Sequence, residues 1–154
     1  MEAKNKAEEI LGRSHPLYAQ ACSNLATVYM QMEQYKKAEV LFTESKNNIE
    51  KVLGKSHPDY SGCLNNLAVG YKEMGEYAKA EANYLEAKNL TEKFLGKNNF
   101  TYSATCLNLA LLYWITNKPS NAEAFYKEGF ALNYDKVQKM LQFTSEKEKA
   151  ADIK

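Results

Sequence analysis

Residues 64–87 read LNNLAVGYKEMGEYAKAEANYLEA, and their spacing decides the fold. Leu64, Leu67, Ala68 and Tyr71 recur at i, i+3, i+4 and i+7, the apolar face of a helix with a 3.6-residue period. Gly75 interrupts that helix. Tyr77, Ala80, Tyr84 and Ala87 then mark one stripe of a second helix, so the segment predicts a helical hairpin with a short turn. Ala68 and Ala80 lie on the facing stripes and let the two helices approach closely. Tyr71, Tyr77 and Tyr84 are expected to fill the space around them.

The hairpin occurs three times. Leu11-Gly12, Leu53-Gly54 and Leu95-Gly96 fall 42 residues apart, as do Asn24-Leu25-Ala26, Asn66-Leu67-Ala68 and Asn108-Leu109-Ala110. Tyr29, Tyr71 and Tyr113 follow in register, and so do Ala38-Glu39, Ala80-Glu81 and Ala122-Glu123. Leu-Gly-x-Ser-His-Pro opens the first two units at 11–16 and 53–58, with proline in the first helical turn, where a missing N–H costs nothing. The third unit departs from the pattern: Asn99-Phe100 replaces His-Pro, Asn117 replaces Gly75, and Pro119 replaces Tyr77. A period of this length predicts a solenoid in which each unit buries its apolar face against its neighbours.

The order Leu-x-x-Leu-Ala-x-x-Tyr-x-x-x-Gly-x-Tyr-x-x-Ala-x-x-x-Tyr-x-x-Ala resembles the tetratricopeptide repeat. The longer unit, with Leu-Gly-x-x-His-Pro-x-Tyr and Leu-Asn-Asn-Leu-Ala, is similar to the kinesin-light-chain type of that family. The resemblance implies an all-α, right-handed solenoid of antiparallel hairpins. Its expected divisions are a partial preceding repeat at 1–12, repeats at 13–54, 55–96 and 97–143, and the start of a truncated capping or linker helix at 144–154. Glu2-Ala3-Lys4-Asn5 aligns with Glu86-Ala87-Lys88-Asn89, so the chain is expected to open inside a second helix. The last hairpin's second helix is expected to continue through Phe130, Tyr134, Val137 and Leu141. Thr144-Ser145-Glu146-Lys147-Glu148 then reads as a capping box.

Composition argues for binding and against chemistry. The 154 residues carry a formal charge of +1, which offers no attraction to nucleic acid or an anionic membrane. No apolar run approaches the roughly 20 residues of a membrane span. His15 and His57 share the helix-start slot and have no companions at ligand spacing, so neither a metal nor any other cofactor is expected. Cys22, Cys63 and Cys106 contain no C-x-x-C pair and read as small buried hydrophobes of a cytoplasmic protein. No phosphate loop, H-E-x-x-H or G-x-S-x-G occurs, and no enzymatic activity is expected.

The resemblance implies a protein–protein interaction scaffold whose first helices line a concave groove for an extended peptide or helix of a partner. The groove residues expected are Asn24, Asn66 and Asn108, one per repeat, with Ser23, Asn65, Thr27, Val69, Lys72, Leu107, Leu111 and Trp114 beside them. An asparagine amide both donates and accepts, so it can pair with a peptide backbone whatever its side chains. Helices roughly 10 Å apart would spread the three amides over roughly 20 Å, about six residues of extended chain. The same amides could instead bond to a neighbouring helix. The carboxylate-clamping type of tetratricopeptide site needs Lys and Arg where Ser23, Asn65 and Leu107 stand, so the resemblance disfavours it here.

Leu107, Leu111 and Trp114 add a second apolar stripe to the third repeat's first helix. Either the chain beyond Tyr134 folds back onto that stripe, an intramolecular contact, or a partner's apolar side chain docks there. Residues 139–149, KMLQFTSEKEK, are also similar to the segment after the last repeat of bacterial tetratricopeptide proteins that carry a C-terminal caspase-like CHAT domain. That similarity implies an alternative role, a regulatory arm for a peptidase domain outside this sequence.

Overall fold

The computed structural model describes residues 2–131 and residue 134. The expected extension through Val137 and Leu141, the capping box at 144–148 and the CHAT-like segment lie outside the described residues. Six helices, α1 (Glu2–Leu11), α2 (Pro16–Gln31), α3 (Tyr35–Leu53), α4 (Pro58–Glu73), α5 (Tyr77–Leu95) and α6 (Phe100–Ile115), precede a seventh, α7, at 119–131. No strand occurs among the described residues. Each helix packs on its chain neighbours, and the first helices also touch across repeats, α2 on α4 and α4 on α6. The result is a solenoid of three hairpins, with α1 supplying a partial unit in front.

The helix starts follow one device in three spellings. His15 Nδ1 accepts the Leu17 N–H at 3.2 Å, and His57 Nδ1 accepts the Asp59 N–H at 3.2 Å. Asn99 Oδ1 accepts the Thr101 N–H at 2.8 Å. The third repeat's departure from His-Pro therefore replaces one N-cap acceptor by another. Pro119 falls at the start of α7, where its ring is tolerated.

The hairpin turns need a left-handed residue. Gly75 takes φ 75°, while Glu33 and Asn117 in the same slot take φ 57°. A left-handed backbone costs an L-residue about 1–2 kcal/mol, part of which a glycine gives back as unfolded-state entropy. Glu33→Gly is therefore expected to stabilise the fold by about 0.5–1 kcal/mol, read as a higher denaturant midpoint. An unchanged or lower midpoint would show that Glu33 carries no strain.

Three apolar clusters run along the array. The first joins Tyr18, Cys22, Ala26, Ala38 and Phe42 with Leu67 of the next repeat. The second gathers Ala19, Ile49, Tyr60, Leu64 and Ala87. The third joins Ala68, Ala80 and Tyr84 with Leu109, Leu112 and Tyr113 of the third repeat. Ala26, Ala38, Ala68 and Ala80 have no exposed surface, as the close helix crossing requires. Tyr77, expected in the core, and Tyr126, which repeats the slot of Tyr84, lie elsewhere. Tyr77 opens α5 and is exposed, because a residue at the turn precedes the region where the hairpin's two helices meet. Tyr126 is 54% exposed although Phe42 and Tyr84, in the same register, are buried. Those two are covered by α4 and α6 of the following repeat, and no described helix follows α7.

Candidate peptide groove and repeat interfaces

The first helices α2 and α4 lie side by side and leave a cavity of about 390 Å³ between them. Gln20, Ser23 and Asn24 enter it from α2, and Asp59, Gly62, Cys63 and Asn66 from α4, with Ser45 and Ile49 of α3 at its base. Asn24 and Asn66 are exposed, whereas Asn108 is half-buried on α6 and outside this cavity's lining. Among the described residues, none of these three side-chain amides hydrogen-bonds to another protein group. Asn65 differs: its Nδ2 donates to the Ser61 carbonyl at 3.2 Å and its Oδ1 accepts from Thr105 at 3.0 Å.

The other expected groove residues divide between ligand-accessible surface and repeat contact. Thr27 is exposed, though its hydroxyl donates to the Ser23 carbonyl at 3.0 Å. The Ser23 hydroxyl meets that of Ser45 at 2.8 Å and so belongs to the base of the cavity. Val69 packs against the third apolar cluster. Lys72 is largely covered and pairs with Glu73 at 2.7 Å. Met30, in the slot of Lys72 and Trp114, has its Sδ only 3.7 Å from where a Cβ at Gly70 would stand. Asn65, Val69 and Met30 thus face the following repeat's first helix. Leu107, Leu111 and Trp114 occupy the same slots on α6 and line a separate apolar groove of about 590 Å³ with Ala122, Glu123 and Tyr126. Simple helical spacing could not separate the two faces, because both lie off the hairpin's own interior.

A repeated ionic contact that sequence reasoning missed fixes one unit against the next. Tyr18 donates to Glu44 at 2.5 Å, and Lys4 pairs with Glu44 at 3.0 Å while lying over the Tyr18 ring. Two repeats later Tyr102 donates to Glu128 at 2.5 Å, and Lys88 takes the part of Lys4, 3.7 Å from Glu128 and 4.8 Å from the Tyr102 ring centre. The spacings 4–88, 18–102 and 44–128 were visible as repeats, but each helix alone shows them only as scattered surface residues. Burial and the adjoining carboxylates push both tyrosines well above the usual phenol range. Burial by itself would raise Glu44, yet the Tyr18 hydrogen bond and the Lys4 ammonium outweigh it and hold its carboxyl below the ordinary range.

A carboxyl lowered in the folded state contributes stability that is complete above its unfolded pKa, about 4.3, and lost as pH falls through the folded value. The thermal midpoint is therefore expected to drop as the pH falls below about 4.3, and Glu44→Gln is expected to make that drop smaller. Equal drops in the two proteins would remove Glu44 from the acid transition.

Cys22, Cys63 and Cys106 are buried and free, and burial with the nearby Glu128 carboxylate pushes Cys106 up to about 11. Among the described residues no cluster of His, Cys, Asp and Glu could hold a metal ion, and no helix is long and apolar enough to cross a membrane.

This geometry has known counterparts. A profile of the tetratricopeptide repeat matches residues 18–87 and again 61–134. No curated protein matches the chain. Among solved structures, BtubC (BKLC) from P. vanneervenii superposes with a TM-score of 0.77 at 21% identity, over 87% of this chain and 53% of that one. TPR-like repeats of a kinesin-light-chain protein of Podosopora anserina superpose with TM-scores of 0.74, for a single-substitution variant, and 0.71. Both are 20% identical, over 88% and 86% of this chain and 64% and 63% of theirs. The chain thus spans between about half and two thirds of the length of these structures. Repeats of this fold generally mediate protein–protein interaction. With the matched segments covering most of the sequence and three hairpins in register, the chain belongs to the tetratricopeptide repeat family.

Proposed function

We propose that the chain is a non-enzymatic scaffold that holds an extended peptide of a partner protein along α2, α4 and α6. The observation that carries this reading is the state of the three asparagines. Asn24, Asn66 and Asn108 recur once per repeat, and no described protein group satisfies their amides, whereas their neighbour Asn65 is bonded to Ser61 and Thr105. An amide with both capacities free suits a peptide backbone, which offers a donor and an acceptor at every residue. Gln20 adds a fourth amide beside Asn24 and Asn66 in the same cavity.

The test is selection of eight-residue peptides from a random display library on the intact chain, followed by the variant Asn24→Ala/Asn66→Ala/Asn108→Ala. Each amide is worth about 1 kcal/mol of net hydrogen bonding, so the triple variant is expected to bind the selected peptides about a hundredfold more weakly. Its stability should stay within about 0.5 kcal/mol per site of the parent, as for unbonded surface residues. Equal affinity in both proteins, or unfolding of the variant, overturns the reading.

A further inference from the structure

The groove between α6 and α7 is a second surface, apart from the cavity between α2 and α4. It repeats, one step along, two grooves that are already filled. Phe42 and Ala38 are covered by Leu67 of α4, and Tyr84 and Ala80 by Leu109, Leu112 and Tyr113 of α6. The corresponding Tyr126 is 54% exposed, Trp114 70% and Leu111 47%. Each filled groove also holds a carboxylate for the incoming tyrosine. Glu81 accepts from Tyr113 at 2.7 Å, and the Glu39 carboxylate lies close enough to Tyr71 to help raise its phenol. Among the described residues Glu123, in the same slot, pairs with Lys127 of its own helix.

We propose that this groove docks an amphipathic α-helix of a partner protein that presents leucine and tyrosine four residues apart. The leucine seats against Ala122 and Tyr126, as Leu109 does in the cluster of Ala80 and Tyr84, and the tyrosine hydroxyl donates to Glu123. An extended strand fits poorly: the lining is apolar apart from Glu123 and would leave a strand's backbone groups unpaired, whereas a helix satisfies its own. Leu111 and Trp114, in the slots of Val69 and Lys72, widen the apolar contact beyond that of the two internal grooves.

The probe is a synthetic peptide of residues 57–76 of this chain, which carries Leu67 and Tyr71 and fills the corresponding groove of the first repeat. It has no tryptophan, and Trp114 is the only one in the protein, so the intact chain's emission reports the groove alone. The expected result is a saturable blue shift on adding peptide. Leu67→Asp in the peptide, or Tyr126→Asp in the protein with unchanged circular dichroism, should weaken binding by about tenfold or more. Tyr71→Phe in the peptide should weaken it several-fold, through loss of the donor to Glu123. Absence of a shift at about 1 mM peptide overturns the proposal, as does a shift indifferent to Tyr126→Asp. An emission that turns blue with protein concentration alone assigns the groove to a second copy and also overturns it. So does an emission already blue without peptide that Tyr126→Asp moves to the red, which assigns the groove to residues 135–154.

Discussion

Tyr84→Ala is expected to cost about 3–5 kcal/mol, the range for removing a large ring from a packed interior. Tyr126→Ala, one repeat later in the same register, is expected to cost within about 0.5 kcal/mol. The two residues have the same chemistry and the same place on a second helix. They differ in what lies over them: Tyr84 is 1% exposed beneath Leu109, Leu112 and Tyr113, and Tyr126 is 54% exposed. Since a domain's whole stability is about 5–15 kcal/mol, the loss at Tyr84 is a large fraction of it. Tyr84 also joins two units whose stability depends on contact with each other. Its loss should therefore split the denaturant transition, with α6 and α7 unfolding before the first two hairpins. A single transition at the parent midpoint for Tyr84→Ala, or matching losses at both sites, would show that repeat stacking does not bury this slot.

The hairpins and their order were legible because periodicity within helices agreed with the 42-residue recurrence of Asn-Leu-Ala, Tyr and Ala-Glu in all three repeats. Burial at the array's end was not. Whether Tyr126 is interior depends on a neighbour, and a stripe seen on one helix is silent about what packs against it. The same limit blurred the groove. Asn65 and Asn66 are adjacent polar residues on one helix, yet Asn65 reaches Thr105 of the next repeat and Asn66 opens onto the cavity beside α2. A step of about 100° per residue separates those two directions, and sorting them needs the position of the neighbouring helix. The ionic contact of Lys4, Tyr18 and Glu44 joins three helices and left no local pattern to find.

The two surfaces also divide by polarity in a way that suits different ligands. The cavity between α2 and α4 presents Gln20, Asn24, Asp59 and Asn66, groups able to bond a backbone that has no internal partners. The groove at α6 and α7 presents Leu107, Leu111, Trp114 and Tyr126, which reward apolar area and give a bare backbone little to bond.

Gly129→Leu is expected to destabilise the protein at the upper end of about 1–3 kcal/mol, against the usual gain from replacing a helical glycine. Position 129 aligns with Ser45 and Ala87, so the slot accepts a Cβ in the first two repeats. In the third it does not. A Cβ on Gly129 would stand 2.9 Å from the Ser103 carbonyl oxygen, 3.0 Å from Leu107 Cγ and 3.1 Å from Cys106 Cβ. The first of these is backbone of α6 and cannot rotate away, so α7 must shift outward to admit any side chain. That shift would also pull Glu128 from Tyr102, which it meets at 2.5 Å, and disturb the groove that Tyr126 lines with Leu107. Ala87→Gly tests the opposite substitution in the same register. It removes a methyl that fits and adds a flexible residue to a helix, so it should cost about 1 kcal/mol. Comparing the denaturant midpoints of both variants with the parent decides the matter. If Gly129→Leu raised the midpoint, as helix propensity alone would have it, α6 and α7 would not be packed as closely as these distances require.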